Sequence, residues 1–221
     1  LKPKDLRKGN HRVLFDFNNR GQMRVGKLND AVLTNDPTTS DDAGTGFIMN
    51  LGYTVVSNGW DAGASGFHSM KINVPTATIS GDQISGPSYE YIVFDNSTSS
   101  TYALAYQADD SNKSEATLTV RSRLDDDPIK VPDNGWDYAS SERTAIRLLP
   151  EGTQFKQSYI YEFTYTAIDP LISGIGLAAT RDFVSFLRHG TSQEGNPLAG
   201  DVEYTFSYSI SQPSRMLNDF Q

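Results

Sequence analysis

The sequence predicts an α/β fold that carries a large β-rich insertion, and three observations support this prediction. The first 60 residues follow a strand, helix and strand pattern, which is typical of a parallel βαβ unit. Short alternating segments then run to about residue 170, as they do in antiparallel sandwiches. A helix and strand pattern returns after them. We therefore predict two parts of one α/β core, residues 1–62 and 171–221, separated by an insertion of residues 63–170.

The first part of the core opens with a segment typical of a buried strand. In HRVLFDFNNRG, residues 11–21, apolar side chains occupy alternate positions at Val13, Phe15 and Phe17. Such a period of two places these side chains on one face of a strand. Gly21 then predicts a turn at the end of the segment.

A helix, a second strand and the β-rich insertion follow. SDDAGTGFIMNLG, residues 40–52, starts with capping residues and ends at a glycine, so it predicts a helix, although two internal glycines lower its propensity. The β-branched run YTVVSNGW, residues 53–60, predicts a strand. The insertion is predicted from five alternating segments: YEYIVFD, TYALAYQA, EATLTVRSRL, TAIRLLP and YIYEFTYTA.

The second part of the core is predicted as a helix, a strand and a further helix. GIGLAATRDFVSFLRHG, residues 174–190, places apolar side chains on one helical face and ends with basic residues before a glycine. DVEYTFSYSIS, residues 201–211, predicts a strand. Met216, Leu217 and Phe220 are spaced for the apolar face of a closing helix.

The composition excludes several kinds of partner. The net charge of −8, from 27 acidic and 19 basic residues, makes a nucleic-acid backbone a poor partner. No apolar run approaches the roughly 20 residues of a membrane span. The chain has no cysteine, which rules out disulfides and thiolate zinc sites and suits an oxidising compartment.

Three stretches of the sequence carry longer motifs. They read GYTVVSNGW at 52–60, YEFTYTAIDPLISGIGLAATRDFVSFLRHG at 161–190 and SISQPSRMLNDF at 209–220. These motifs resemble those of the α/β-hydrolase domain family of large, mostly uncharacterised bacterial proteins, and the similarity covers nearly the whole chain. The resemblance implies a partial α/β-hydrolase core with a large β-rich insertion, in which the first strands and everything after the nucleophile helix lie outside this sequence.

The resemblance also implies that Ser211 is a catalytic nucleophile. In a G-x-S-x-G motif the serine lies in a sharp turn between a strand and a helix, and small neighbours let the two elements approach. Here Ser209 and Pro213 replace the two glycines; serine is still small, and proline is tolerated where a helix opens. Two alternatives stay open: Ser211 only caps a helix, or Ser214 is the nucleophile in a shifted register.

An acyl-transfer serine also needs backbone N–H groups that bind the developing oxyanion. The resemblance implies the amide of Gln212, which follows the nucleophile, and an amide of the turn after the first predicted strand, where we predict Asn19. An ordinary Asx turn closed by Gly21 is the alternative. We predict that Asn18 and Trp60 line the pocket, although Trp60 suits a buried core position as well.

A catalytic serine of this kind further requires a histidine and an acid. The chain has three histidines, His11, His68 and His189, and the implied topology places both partners after the nucleophile. Only His68 has a position from which it could face the pocket. We therefore expect the histidine and the acid on a C-terminal companion chain or continuation, and we expect this chain, which begins at Leu1, to be a fragment of a longer protein.

Acidic clusters raise the question of a metal site. The carboxylates of Asp125-Asp126-Asp127 and Asp109-Asp110 are ligands that calcium prefers, but they lack the spacing of an EF-hand loop. Solvated turn residues are the better interpretation, so we predict no metal and no cofactor. Glycosylation sequons begin at Asn96 and Asn112.

Taken together, these features predict a secreted serine hydrolase of the carboxylesterase type, in the extracellular space or the periplasm. Its substrate would be a small-molecule or polymeric ester. The alternative is a non-catalytic binding or surface-assembly protein built on the β-rich middle, or a hydrolase that has lost its activity.

Overall fold

The computed structural model describes residues 1–66, 68–95, 98–109 and 113–220. Within these ranges the α-helices are α1 (Phe47–Asn50), α2 (Ile175–His189) and α3 (Gln212–Phe220). The strands are β1 (Arg12–Phe17), β2 (Thr54–Asn58), β3 (Thr78–Ile79), β4 (Asp82–Gln83), β5 (Ser85–Val93), β6 (Thr101–Ala103), β7 (Gln107–Ala108), β8 (Thr117–Arg121), β9 (Ile129–Lys130), β10 (Trp136–Tyr138), β11 (Ala145–Leu148), β12 (Ile160–Ile168) and β13 (Tyr204–Ser209). The 3-10 helices are Leu6–Lys8, Val25–Asn29, Asp41–Ala43, Lys113–Glu115 and Ser192–Glu194.

The chain divides into two compact units. One unit contains Leu1–Val74 and Ser173–Gln221, and the other contains Pro75–Ile172. Each unit has apolar clusters of its own. The predicted limits of the insertion, 63 and 170, were drawn from a change of sequence pattern and stay predictions.

The first unit contains a three-stranded parallel sheet with β1 in the middle, in the order β13-β1-β2. Phe17, the last residue of β1, is in register with Ser209 of β13 on one side and with Asn58 of β2 on the other. These two residues are also the last of their strands. The carboxyl ends of all three strands therefore meet at one edge of the sheet.

Alternation along β1 divides its side chains between two faces. Val13, Phe15 and Phe17 are at most 2% exposed and belong to one cluster with Leu187 of α2 and Met216 of α3. A second cluster contains Met23, Val25, Ile48 and Val55. Burial of one such side chain stabilises a fold by about 1.5–3 kcal/mol. The two clusters together keep β1 in the interior of the unit.

Contacts at both ends fix the position of α2. At its first turn, a Cβ on Gly176 would lie 2.4 Å from the carbonyl oxygen of Trp60, so the helix touches the chain that follows β2. At its last turn, the side-chain amide of Asn196 donates to the carbonyl oxygens of Phe186 and Leu187 at 3.0 and 3.1 Å. Phe186 also accepts the C-cap amide of Gly190 at 2.7 Å, whereas the carbonyl of Leu187 belongs to the last turn, where a helix supplies no amide donors of its own.

The second unit is built from antiparallel strands around a separate core. One sheet has the order β5-β12-β8-β9, with β7 also paired to β12, and a second has the order β10-β11-β6. β3 and β4 form a two-stranded sheet. Trp136, Phe155 and Phe163 are fully buried in the core, and the ring centroids of Trp136 and Phe163 are 5.0 Å apart.

The α/β-hydrolase fold predicted from the sequence is wrong. Among the described residues strand is more frequent than helix, and the strands lie in four separate sheets of two to five strands. Within those residues, parallel pairing is found only among β13, β1 and β2, whereas an α/β core is a mostly parallel sheet covered by helices. The described residues in the middle of the chain bury their own apolar side chains, and none of their strands joins the parallel sheet.

Of the local predictions considered next, one helix is wrong, whereas three strands and one helix are confirmed. The helix predicted over residues 40–52 is only a 3-10 turn followed by the four-residue α1. Gly44 and Gly46 have φ values of 53° and 66°, a left-handed conformation that cannot continue a right-handed helix. The strands predicted over 11–21, 53–60 and 201–211, and the helix predicted over 174–190, are confirmed as β1, β2, β13 and α2.

Candidate functional site

Three turns meet where the parallel strands end. They follow β1 at residues 18–22, β2 at residues 59–63 and β13 at residues 210–211. Hydrogen bonds join them: the side-chain amide of Asn19 donates to the carbonyl oxygen of Ile210 at 2.7 Å. In open sheets of parallel strands, ligands bind outside the carboxyl ends of the strands. This edge is therefore where a site is expected on topological grounds.

Ser211 occupies the turn between β13 and α3. Its φ is +69°, a left-handed conformation that residues other than glycine rarely adopt and that costs roughly 1–3 kcal/mol. The residue is exposed, and its carbonyl oxygen accepts the amide of Ser214 at 3.0 Å. A strained serine between a strand and a helix is the geometry that presents a nucleophilic hydroxyl to solvent.

The rival serine, Ser214, has a different environment. It lies inside α3, and its hydroxyl is 2.9 Å from the hydroxyl of Ser209. The backbone of Ser214 is helical, without the positive φ of Ser211. The geometry therefore favours Ser211 over Ser214 as the serine presented by this turn.

The turn after β1 directs the amide of Arg20, the residue after the predicted Asn19, toward the side chain of Gln212. The amide of Asn19 donates to the carbonyl oxygen of Gln22 at 3.0 Å and so is used within the turn. The amide of Arg20, the next residue, donates to the side-chain oxygen Oε1 of Gln212 at 2.9 Å. Arg20 itself has a positive φ of 48°. Which of two successive amides points outward depends on this turn geometry, and the letters NNRG do not reveal it.

The turn after β2 contributes Trp60 and Asp61. The indole N–H of Trp60 donates to the carbonyl oxygen of Asn18 at 3.0 Å, and the ring packs against the cluster that contains Phe17. Asp61 accepts the side-chain amide of Gln212 at 2.8 Å. Sequence reasoning missed Asp61, although an acidic residue three positions after the end of a parallel strand is a signal that could have identified it.

Asn18 is buried at this edge with its side-chain atoms unsatisfied. The residue is 1% exposed, and neither its Oδ1 nor its Nδ2 has a hydrogen-bond partner among the described residues. Its backbone amide donates to the carbonyl oxygen of Asn58 at 3.2 Å. An unpaired buried amide is costly, so this side chain is a place where a bound water or ligand group would gain hydrogen bonds.

Asp16 is a buried carboxylate two residues before Asn18. Its Oδ2 accepts the amide of Arg24 at 2.9 Å and the hydroxyl of Ser57 at 3.4 Å, while its Oδ1 has no partner among the described residues. Burial raises the pKa of Asp16 above its ordinary value, and the hydrogen bonds offset this effect only in part. Burial, followed by the charge of Asp16, also raises the pKa of Tyr208.

The raised pKa of Asp16 predicts a dependence of stability on pH. Its proton is bound more tightly in the folded state, so the contribution of Asp16 to the free energy of unfolding is fully present below pH 3.8 and declines as the pH rises through the raised pKa. Asp16→Asn removes this decline. We expect the free energy of unfolding of the variant, relative to wild type, to increase between about pH 4 and neutral pH in urea titrations.

Asp42→Asn is the matched control for this experiment. Hydrogen bonds from Thr39 and Thr38 lower the pKa of Asp42, so this carboxylate stabilises the fold above its ordinary pKa and loses that effect as the pH falls. The difference between Asp42→Asn and wild type must therefore change with pH in the opposite direction. A constant difference for Asp16→Asn would show that Asp16 titrates alike in the folded and unfolded states.

The three histidines occupy different places relative to this edge. His11 precedes β1, which puts it about 20 Å along the strand from the carboxyl end, and it is 2.8 Å from Asp201, whose hydrogen bond raises the pKa of His11. His189 ends α2, about 20 Å along the helix from the turn that touches Trp60. Of the three histidines, His68 is the one with a backbone contact near this edge: the side-chain amide of Asn35 donates to the carbonyl oxygens of Gly21 and His68.

Metal and membrane features can be stated for the described part of the chain. No group of three or more histidine or carboxylate side chains there could hold a metal ion, and no helix there is long and apolar enough to cross a membrane. Asp126 accepts the amide of Arg123 at 2.9 Å and so closes a turn. Asp110 and the sequon residues Asn96 and Asn112 lie outside the described residues.

Comparisons of the chain with protein-family models, with curated proteins and with solved structures find no match. The resemblance to the α/β-hydrolase domain family therefore stays a prediction from sequence motifs.

Proposed function

We propose that the protein is a serine hydrolase that cleaves ester bonds with Ser211 as its nucleophile. The observation that carries the proposal is the place of Ser211: among the described serines with a positive φ, it is the one in the turn between β13 and α3, at the carboxyl edge of the parallel sheet. Backbone strain of this kind persists only where the surrounding structure imposes it, and it is concentrated at functional sites. The exposure of Ser211 and its position at the carboxyl edge of the parallel sheet support the same interpretation.

In this mechanism the Ser211 hydroxyl oxygen attacks the ester carbonyl carbon while a histidine removes the hydroxyl proton. The amides of Gln212 and Arg20 donate to the oxyanion that forms. Gln212 is the first residue of α3, where an amide has no intrahelical acceptor. When the tetrahedral intermediate collapses, the alcohol leaves with the proton and Ser211 carries the acyl group. Water then attacks the acyl group, which releases the acid and restores the hydroxyl.

The histidine and its acid belong, in our proposal, to polypeptide outside these 221 residues, either a companion chain or a continuation. His11 and His189 lie about 20 Å from the edge along their elements, and His11 is paired with Asp201. Denaturing mass analysis of native material, with sequencing of every chain present, would identify the companion. A single species of 24.3 kDa would contradict this part of the proposal.

His68 is the internal candidate for the base and can be tested separately. If the base lies outside the chain, His68→Ala should keep the wild-type rate of Ser211 labelling within a few-fold, because its side chain takes no part in the proton transfer. His189→Ala is the control. A loss of labelling confined to His68→Ala, with unchanged thermal unfolding, would assign the base to His68.

The experiment that tests the proposed function is labelling of the intact native protein with a fluorophosphonate, followed by peptide mapping. This probe phosphonylates an activated serine, and we expect the modification on Ser211. Modification of another residue, or none in native material, would contradict the proposal. Either of these two outcomes would favour the alternative, a non-catalytic binding protein built on the β-rich unit.

A further inference from the structure

The side chain of Gln212 joins two of the three turns at the carboxyl edge. Its Oε1 accepts the backbone amide of Arg20 at 2.9 Å, and its Nε2 donates to Oδ2 of Asp61 at 2.8 Å. Both polar ends of one carboxamide are therefore satisfied by groups that belong to different turns. Gln212 follows directly after Ser211, so this bridge lies beside the proposed nucleophile.

The bridge and the proposed reaction use the same hydrogen-bond donor. An ester carbonyl oxygen that becomes an oxyanion needs the Arg20 amide, because the preceding amide, that of Asn19, is bonded to Gln22 within the turn. The oxygen that Arg20 binds in this structure is also a carbonyl oxygen, that of the Gln212 carboxamide. A backbone N–H has a single proton to donate. The substrate oxygen and Gln212 Oε1 must therefore compete for it.

We propose that the Gln212 side chain is a latch that occupies half of the oxyanion site and has to swing out before an ester carbonyl oxygen can bind there. This inference rests on the proposed function of Ser211. In the open state the backbone amide of Gln212 stays in place and donates to the oxyanion together with Arg20. The carboxamide becomes hydrated, and Asp61 keeps the backbone amide of Gly63 on its other oxygen at 2.9 Å.

Asp61 determines how firmly the latch is closed. A hydrogen bond to a carboxylate is roughly twice as strong as one between neutral groups, so the contact from Nε2 to Asp61 contributes more to the closed state than the contact from Arg20. Gln212 is half-buried rather than enclosed, which leaves room for the side chain to rotate toward solvent. Weakening either contact should therefore favour the open state.

The test compares fluorophosphonate labelling rates at Ser211 in the intact native protein and its variants. Gln212→Ala removes the competing oxygen but keeps the backbone amide, so we expect labelling on the order of tenfold faster than in wild type. Asp61→Asn weakens the second contact and should accelerate labelling less. The double variant should match Gln212→Ala alone, because Asp61 acts only through Gln212. Gln193→Ala, an exposed glutamine in the Ser192–Glu194 turn, is the control.

Hydrogen exchange of the Arg20 amide supplies a readout that does not depend on reactivity. Gln212→Ala should accelerate this exchange, because it removes the acceptor of the Arg20 amide, whereas the exchange of the Asn19 amide should not change.

A purely structural role of Gln212 predicts the opposite effect on labelling. If the glutamine merely supported the fold, its removal would slow the labelling of Ser211.

The outcomes separate the latch from the proposed function. If Ser211 is labelled in wild type but Gln212→Ala reacts at the same rate or more slowly, the latch is wrong and the hydrolase proposal stands. If Ser211 is labelled in neither, both proposals are wrong. If Gln212→Ala fails to fold, Asp61→Asn still tests the latch. An unchanged or lower rate of Ser211 labelling in Asp61→Asn also contradicts the latch.

Discussion

Alanine in place of Ser211 is expected to lower ester hydrolysis by the intact protein by on the order of 10⁴-fold or more. The substitution removes the only atom that forms the acyl intermediate in the proposed reaction, and neighbouring groups cannot replace it. The residual rate would come from binding and from the amides of Gln212 and Arg20. The measurement is the hydrolysis of p-nitrophenyl butyrate, with kcat and KM determined separately. We expect the loss in kcat.

Ser214→Ala is the matched control, because Ser214 lies three residues away, inside the helix that follows Ser211, and carries the same hydroxyl group. Its hydroxyl pairs with that of Ser209, so its removal should change the rate by no more than a few-fold. Equal losses in the two variants would indicate damage to the turn rather than loss of a nucleophile. Full activity of Ser211→Ala would exclude Ser211 and return the sequence alternative, Ser214, to consideration.

The largest effect on stability is expected in the second unit, for Phe163→Ala. Phe163 is completely buried at the centre of β12, and its ring lies 5.0 Å from that of Trp136 and 5.1 Å from that of Tyr165. Removing a buried phenylalanine costs about 3–5 kcal/mol, because it loses transfer free energy and leaves a cavity. Guanidinium denaturation followed by the fluorescence of Trp136, in a background in which the other tryptophan, Trp60, is replaced by phenylalanine, would measure the loss.

Thr164→Ala is the control for this substitution. Thr164 follows Phe163 on the same strand, but its side chain is on the exposed face of β12, where substitutions usually change stability by less than about 0.5 kcal/mol. The comparison holds the strand and the pairing with β5 and β8 constant. Equal denaturation midpoints for the two variants would contradict the assignment of Phe163 to the core.

Local sequence patterns predicted several strands and helices correctly, because the formation of such an element depends largely on nearby residues. The period of two at Val13, Phe15 and Phe17 reports a strand with one buried face, and the structure confirms it in β1. The pairing of strands is a long-range property. The alternation of the middle segments predicted an antiparallel β-rich insertion, but it did not specify that β12 pairs with β5, β8 and β7. The fold class failed because the parallel sheet of the described residues contains only β13, β1 and β2.

In the candidate site too, some features follow from local sequence patterns and others depend on long-range contacts. The order of strand, serine and helix was enough to place Ser211 in a turn, since the elements on both sides have clear periods. The choice between the amides of Asn19 and Arg20 was not accessible, because it depends on the φ value of Arg20 and on the bond from Asn19 to Gln22. The role of the Gln212 side chain requires three turns to be brought together, which no local pattern encodes.

The close contact at Gly176 has a consequence for tracing relatives of this protein. Any other residue there would place a Cβ 2.4 Å from the carbonyl oxygen of Trp60, a distance that forces backbone to move. A relative with the same spacing between α2 and the turn after β2 should therefore keep glycine at this position. A chain with a larger residue there must hold α2 farther from that turn, so this one position is a sequence marker for the geometry of the edge that carries Ser211.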